Sequence, residues 1–224
     1  QYFTSSFVKQ LMDHYQEAIT YIVENSEQPI QKFKLHAGVK QTTPKPAHEQ
    51  NLNIGTVFWE SAQRFPEKIA IRCFNSTITY HELFHRSHTM ASELKKIMVG
   101  TIALCLDSPL DMITAMLSCI LAGKIYVPLD LQNTFHENKA LLNLIGNPPV
   151  CVNAQNTADY NDNFSPIIFE SLLQSTDSKK ISTQHELHPD CACILFTSGT
   201  TGTRKAVAIS HSNIIHLAQN PDLK

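Results

Sequence analysis

Apolar positions along the chain fall into two regimes. From Phe3 to Glu24 they recur at Phe7, Leu11, Tyr15, Ala18, Ile19, Ile22 and Val23, the spacing of one face of an amphipathic helix. Asn25-Ser26-Glu27-Gln28-Pro29 stops that pattern. The segment Ala37–Gln50 has no periodicity and carries Gly38, Pro44 and Pro46, the composition of a linker. A lone helix with a linker cannot bury a core, so this helix is expected to dock, either on the main domain or on a preceding one.

From Asn51 the pattern is regular and alternates between two periods. A helix is predicted over Ile54–Arg64, a strand over Ile69–Phe74, a turn at Asn75-Ser76, a strand at Ile78-Thr79 and a long helix over Tyr80–Met98. A strand over Thr101–Leu106 follows, and Ser108-Pro109 opens the next helix with Ser as N-cap and Pro in the first turn. Gly123 closes that helix. A strand at Ile125–Val127 runs into Pro128-Leu129-Asp130. Thr134-Phe135-His136-Glu137 is a capping box for a helix reaching about Ile145, with Gly146 as its stop. Strands are predicted at Pro149–Asn153 and over the continuous apolar run Cys191–Phe196, which has the character of a buried parallel strand. Ala154–Ser165 and Ser175–His188 are polar and predict surface loops. Strands alternating with helices define an α/β fold with a largely parallel sheet flanked by helices.

Composition narrows the function classes. Lys and Arg number 18 and Asp and Glu 20 in 224 residues, a formal net charge of -2, which excludes a globally basic nucleic-acid binder. At 42% apolar residues the chain has material for a core, which excludes wholesale disorder. The longest apolar run, Met112–Gly123, contains Thr114 and Ser118 and falls short of the roughly 20 residues a bilayer span needs. Gln1–Lys9 does not have the build of a secretory signal, and without an initiator Met the chain is expected to be a fragment or a trimmed product. The six cysteines sit mostly inside apolar runs, and Cys191-x-Cys193 is not a C-x-x-C knuckle. A reducing, cytoplasmic setting is the expectation.

Two motifs carry candidate chemistry. His81-Glu82-Leu83-Phe84-His85 has the H-E-x-x-H form of a zinc hydrolase, with His88 nearby. Three observations oppose hydrolysis. Thr79-Tyr80-His81-Glu82 is a capping box that gives Glu82 a structural task. The core stripe is expected at Leu83, Ser87, Ala91, Leu94 and Met98, which turns His81, His85 and His88 toward water. No G-x-x-H extension follows His85. No metal ligands are assigned.

The second motif is Phe196-Thr197-Ser198-Gly199-Thr200-Thr201-Gly202-Thr203-Arg204-Lys205, directly after a predicted strand. Two glycines allow close backbone approach, five hydroxyls offer small rotatable donors, and Arg204 and Lys205 bring positive charge. Such a loop suits a polyphosphate. It is not a Walker A loop, because the register differs and Ala206–Ile209 predicts a strand where a P-loop has a helix. The residues alone leave a polar hairpin turn equally open.

The loop resembles the T-S-G-T-T-G-x-P-K-G phosphate-binding signature of adenylate-forming enzymes. Leu121-Ala122-Gly123-Lys124-Ile125-Tyr126-Val127-Pro128-Leu129-Asp130 is similar to the A-G-x-x-Y-V-P-L-D element of non-ribosomal peptide synthetase adenylation domains. Ile78-Thr79-Tyr80-His81-Glu82-Leu83 is similar to their L-T-Y-x-E-L helix start, and His211 fits a V-x-x-x-H position after the loop. The three motifs occur in the family's order between Asn51 and Lys224. The resemblance implies a division into a condensation-domain-like C-terminal helix (1–36), a linker (37–50) and the N-terminal part of an adenylation domain (51–224).

It further implies activation of an amino or carboxylic acid by ATP, with Mg2+, to an acyl-adenylate and transfer to a carrier-bound thiol. Thr197, Ser198, Gly199, Thr200, Thr201, Gly202 and Lys205 would hold the phosphates. The family's remaining machinery, including the substrate pocket and a catalytic lysine, lies further on, so no catalytic residue is assigned in this stretch and the chain alone is expected to be inactive. The implied partners are the rest of the adenylation domain and adjacent condensation and carrier domains. A nucleic acid or a membrane is not expected. With part of a sheet and its core left uncovered, an exposed apolar patch and self-association are expected too. Arg204 stands where the family has Pro, and Ala206 where it has Gly. Other readings are an acyl-CoA or aryl-acid ligase of the same superfamily and a non-catalytic interaction module.

Overall fold

The computed structural model describes residues 5–28, 53–74, 76–161, 164–174, 190–197 and 204–219. The chain divides into two units, 1–50 and 51–224. The first unit contributes one described element, helix α1 (Ser5–Glu24). Its apolar stripe is solvent-facing, with Leu11, Met12, Tyr15 and Val23 each more than half exposed. The predicted linker over 37–50 and the predicted loop over 175–188 lie outside the described residues.

The second unit is built on a six-stranded sheet. In chain order its elements are α2 (Ile54–Arg64), β1 (Ile69–Cys73), β2 (Ser76–Thr79), α3 (Tyr80–Leu94), β3 (Thr101–Cys105), α4 (Pro109–Leu121) and β4 (Ile125–Pro128). Then come α5 (Phe135–Asn143), β5 (Val150–Val152), a 3-10 turn (Ala154–Asp159), β6 (Pro166–Ile168), α6 (Phe169–Leu173), β7 (Cys191–Thr197), β8 (Lys205–Ser210) and α7 (His211–Gln219). Strand order is β6-β5-β3-β4-β7-β8, with β1 and β2 forming a separate hairpin. Strands β6, β5, β3, β4 and β7 are parallel, and β8 closes the edge antiparallel to β7.

Right-handed crossovers decide where the helices go. The chain steps from β3 to β4 in one direction and returns from β4 to β5 on the far side of β3. Connections that move in opposite directions must cover opposite faces of the sheet. Two cores result. Ile102 and Leu104 of β3 pack with Met90, Leu94, Ala115, Cys119 and Phe169 from α3, α4 and α6. Ala103 and Cys105, pointing the other way, pack with Val127, Leu142, Val150, Val152, Tyr160 and Phe164. The period-two alternation of β3 thus serves both layers. A third cluster joins α2 to α3 and β2 through Phe58, Ala62, Ile78, Leu83 and Phe84.

Local start signals act as their residues require. Thr79 and Glu82 form a reciprocal capping box on α3, Thr134 and Glu137 form another on α5, and Ser108 caps α4 ahead of Pro109. Gly123 and Gly146 adopt φ of 70° and 82°, conformations open to glycine after a helix end.

Three expectations need correction. Helix α3 stops at Leu94 rather than Met98, and Met98 is 96% exposed instead of lying on the core stripe. The cause is Lys124, whose Nζ donates to the carbonyls of Ile97 and Val99 at 2.7 Å each. That clamp holds the chain in a turn that feeds β3. Second, β7 is buried at Ala192 and Cys193 but exposed toward its end, with Leu195 40% exposed. It therefore has a parallel neighbour on one side and a short antiparallel edge strand on the other. Third, β6 and α6, three and five residues long, have no counterpart in the predicted elements, being too short to show a period. The structure agrees with the expected fold class. All six cysteines are free.

Lys124 is 8% exposed, and burial pulls its pKa below the ordinary lysine value. Replacing it with Met leaves two carbonyls without their charged donor, at about 1–3 kcal/mol for each unsatisfied group. Lys124→Met is expected to lower the urea midpoint by an amount equivalent to about 2–6 kcal/mol. Equilibrium unfolding followed by circular dichroism checks this, and a midpoint within error of the parent would show the clamp to be dispensable.

Candidate functional site

Thr197 ends β7 and Lys205 begins β8, and the two are direct partners in the antiparallel register. The ladder runs back through Phe196↔Ala206, Leu195↔Val207 and Ile194↔Ala208. Residues 198–204 therefore join the two strands of a hairpin. Because a strand follows the loop, no helix dipole supports an anion here, in agreement with the exclusion of a Walker A arrangement. Both Thr197 and Lys205 are exposed, so the hydroxyl and the ammonium are available to a ligand at the hairpin mouth. Ser198, Gly199, Thr200, Thr201 and Gly202 lie outside the described residues, as does Thr203.

The hairpin is placed at the carboxyl edge of the sheet by the parallel pairing of β7 with β4 through Tyr126↔Cys193. This is the edge where open α/β sheets bind ligands. Beside it, the loops leaving β3 and β4 diverge to opposite faces and open a cleft of about 290 Å³ lined by Asp107, Asn133, Asn138, Asp159 and Tyr160. Asn138, 2% exposed, holds the Pro128-Leu129-Asp130 corner in place. Its Nδ2 donates to the Asp130 carbonyl at 3.2 Å, while its Oδ1 accepts from Asn133 Nδ2 at 3.0 Å. The Asp130 carboxylate accepts from the Gln132 backbone N–H at 2.8 Å, an Asx turn.

Charge links the hairpin to α5. The backbone and hydroxyl of Thr134 hold the Glu137 carboxyl below the usual carboxylate range, and the positive charge of Arg204 adds to this. Arg204 thus sets its charge toward the start of α5, the helix that leaves the Asp130 corner.

His211 opens α7 and is 7% exposed. Its Nδ1 accepts from the Ile54 backbone N–H at 3.4 Å, and its Nε2 lies 3.4 Å from Asn53 Nδ2. Its own backbone N–H donates to the Asp190 carbonyl at 3.3 Å. Asn53 also caps α2, accepting from the Gly55 N–H at 2.7 Å. One imidazole therefore ties the element after the hairpin to the start of the domain. Sequence reasoning places His211 in a motif but misses Asn53, its partner 158 residues earlier. Only the N-cap position of Asn53 before Ile54 is visible as a signal.

A register shift falls between Cys191 and Cys193, and Cys191 Sγ donates to the Cys193 carbonyl at 3.4 Å. Among the described residues there is no group of three or more His, Cys, Asp or Glu side chains placed to hold a metal. No described helix is long and apolar enough to cross a membrane.

The fold is an α/β sheet closed by this hairpin, and comparison with known proteins identifies the class. The chain belongs to the AMP-binding enzyme family, which matches residues 58–223. Within it, the chain is the N-terminal part of an adenylation domain of the non-ribosomal peptide synthetase kind. A linear gramicidin synthase of Brevibacillus parabrevis is 26% identical over 97% of this chain, which spans 3% of that synthetase. A plipastatin synthase of Bacillus subtilis is 29% identical over 79% of this chain, which spans 7% of it. Among solved structures, the O-succinylbenzoate coenzyme A synthetase of Bacillus subtilis in complex with AMP is 27% identical, with a TM-score of 0.64 over 72% of this chain and 43% of its own. The N-terminal subdomain of Klebsiella oxytoca NpsA shares the fold, with a TM-score of 0.67 at 24% identity over 75% of this chain and 44% of its own. The chain thus spans less than half of the solved structures it matches and a few per cent of the synthetases.

The buried His211 predicts a pH dependence. Burial lowers its pKa, so the folded state favours the neutral ring that accepts from Ile54. The unfolded state protonates first, at about pH 6.5, so this stabilisation is full above that value. It is lost as pH falls below it toward the folded-state pKa. Urea unfolding at pH 8 and pH 5.5 should show a larger stability loss in the parent than in His211→Gln. Equal losses in the two proteins would contradict this role.

Proposed function

We propose that residues 51–224 supply the phosphate-holding half of an enzyme that activates an amino acid with ATP, forming an aminoacyl-adenylate and pyrophosphate. Thr197 facing Lys205 across the mouth of a hairpin, at the carboxyl edge of an AMP-binding-family sheet, is the observation that carries this reading. The Lys205 ammonium would neutralise the β- and γ-phosphates, and the Thr197 hydroxyl would donate to a phosphate oxygen. Ser198, Gly199, Thr200, Thr201 and Gly202 would complete the cradle with hydroxyls and backbone N–H groups.

The chemistry of attack on the α-phosphorus asks little covalent work of these residues. Their contribution is to fix the leaving pyrophosphate and to stabilise the charge it gains as the bond breaks. ATP fits the donor set, in which one cation and one exposed hydroxyl stand at the hairpin mouth with a second cation, Arg204, adjoining. A structural relative, the O-succinylbenzoate coenzyme A synthetase, has been solved with ATP and a magnesium ion. Magnesium would enter here with the nucleotide and help neutralise its phosphate charge.

The amino-acid substrate class rests on the peptide-synthetase relatives, whose match reaches 97% of the chain. The acyl group would pass to a thiol on a carrier domain, with α1 as the C-terminal helix of an adjacent condensation domain, in a cytoplasmic setting. The coenzyme A synthetase likeness favours a second reading, in which the acceptor is the free thiol of coenzyme A. Thioester formation on a carrier rather than on coenzyme A separates the two.

Amino-acid-dependent pyrophosphate exchange tests the proposal. A polypeptide joining this segment to the remainder of an adenylation domain should exchange, and Lys205→Ala should lower the rate by about 10²-fold or more, the cost of losing one charge-stabilising donor. The 224-residue chain alone should show no exchange. Full activity in Lys205→Ala would refute the role of the hairpin, and exchange by the chain alone would refute the division of labour.

A further inference from the structure

We propose that His81 and His85 form a two-imidazole binding site for a divalent transition-metal ion of the nickel, copper or zinc type. The two residues are four apart on α3, a spacing that stacks side chains on one helix face with Cβ atoms about 6 Å apart. Both are exposed, and both line one groove of about 390 Å³ whose floor includes Ile78 of β2 and Leu110 of α4. Neither imidazole is hydrogen-bonded to a described residue, so a lone pair on each ring is open to a ligand. His88, the third histidine of the helix, packs on Phe84 with ring centroids 5.8 Å apart and is not part of the groove.

The surrounding charges bear on a cation in opposite senses. Arg86 also lines the groove, but its guanidinium is drawn to the Asp111 carboxylate of α4 at 3.3 Å. Glu82 stands beside His81 as a carboxylate held below its usual range by Thr79. Its Oε2 accepts from the Thr79 backbone N–H at 2.9 Å and from the Thr79 hydroxyl at 3.0 Å. In an H-E-x-x-H hydrolase this glutamate is the base. Here it is committed to the helix cap, so the site binds without activating water for hydrolysis.

Because the described residues offer no cluster of three ligands, water completes the coordination. The site is therefore an exchangeable one with borderline-metal preference, following imidazole donors and the order Mn²⁺ < Co²⁺ < Ni²⁺. None of its residues belongs to the phosphate-binding segment 197–205, so it stands whether or not the function proposed above holds.

Calorimetric titration of the tag-free 224-residue chain with NiCl2, under a phosphine reductant, tests this. One saturable ion is expected, bound more tightly than Co²⁺ or Mn²⁺. His81→Ala and His85→Ala should each weaken binding by about tenfold or more, as expected when a coordination partner is lost. The double variant should show little further loss, because one imidazole cannot chelate. His88→Ala should leave the affinity unchanged. Unaltered affinity in either single variant, loss in His88→Ala, or no saturable binding by the parent would overturn the site. Circular dichroism and melting of each variant confirm the fold, which two exposed side chains do not support.

Discussion

The placement of the candidate site depends on how β7 is paired. Parallel pairing with β4 sends Thr197 to the carboxyl edge of the sheet, and antiparallel pairing with β8 brings Lys205 back to meet it. Neither half suffices alone. Without β4 the hairpin would have no fixed position relative to the Asp130 corner, and without β8 the lysine would have no register. The sheet thus brings Thr197 and Lys205 together by backbone hydrogen bonding, where a P-loop uses a helix N-terminus. In the proposed phosphate-holding role, the cation and the hydroxyl would supply the electrostatic work.

That division explains a charge pattern that is unremarkable when summed. A net charge of -2 conceals two adjacent cations, Arg204 and Lys205, at the hairpin mouth. Arg204 faces Glu137 electrostatically, at the first turn of α5, and the same turn is anchored by Thr134. Arg204, at the position where the signature that the loop resembles has proline, brings a charge directed at α5. Val207, 38% exposed, pairs with Leu195 near the outer end of the sheet, so apolar surface lies close to this charged mouth. Such a surface suits a partner domain or a second chain better than open water.

Much of the architecture is legible in the sequence because it is set locally. Capping boxes at Thr79 and Thr134 and the Ser108-Pro109 start involve neighbours three residues apart, so their chemistry is visible in a short window. The helix over Ile54–Arg64 is recovered at both ends for that reason. Contacts between distant residues are not legible. The clamp from Lys124 to Ile97 and Val99 decides where α3 ends, yet nothing around Leu94 signals it. The tie between His211 and Asn53 joins opposite ends of the domain. The three-residue strand β6 and five-residue helix α6 are too short to express a period, although Phe169, which opens α6, is a large core residue at 2% exposure. For the candidate site, sequence supplies the loop and its two ends, and the fold supplies their register. The role of its middle, 198–203, rests on the motif.

Assignment of the 197–205 segment as the nucleotide-phosphate site is tested most directly by backbone-amide chemical shifts, recorded while the chain is titrated with magnesium ATP. Saturable shifts should concentrate in residues 197–205 and the adjoining start of α5, and Lys205→Ala should abolish them. Saturable shifts centred elsewhere, or a response in 197–205 that survives Lys205→Ala undiminished, would contradict the assignment.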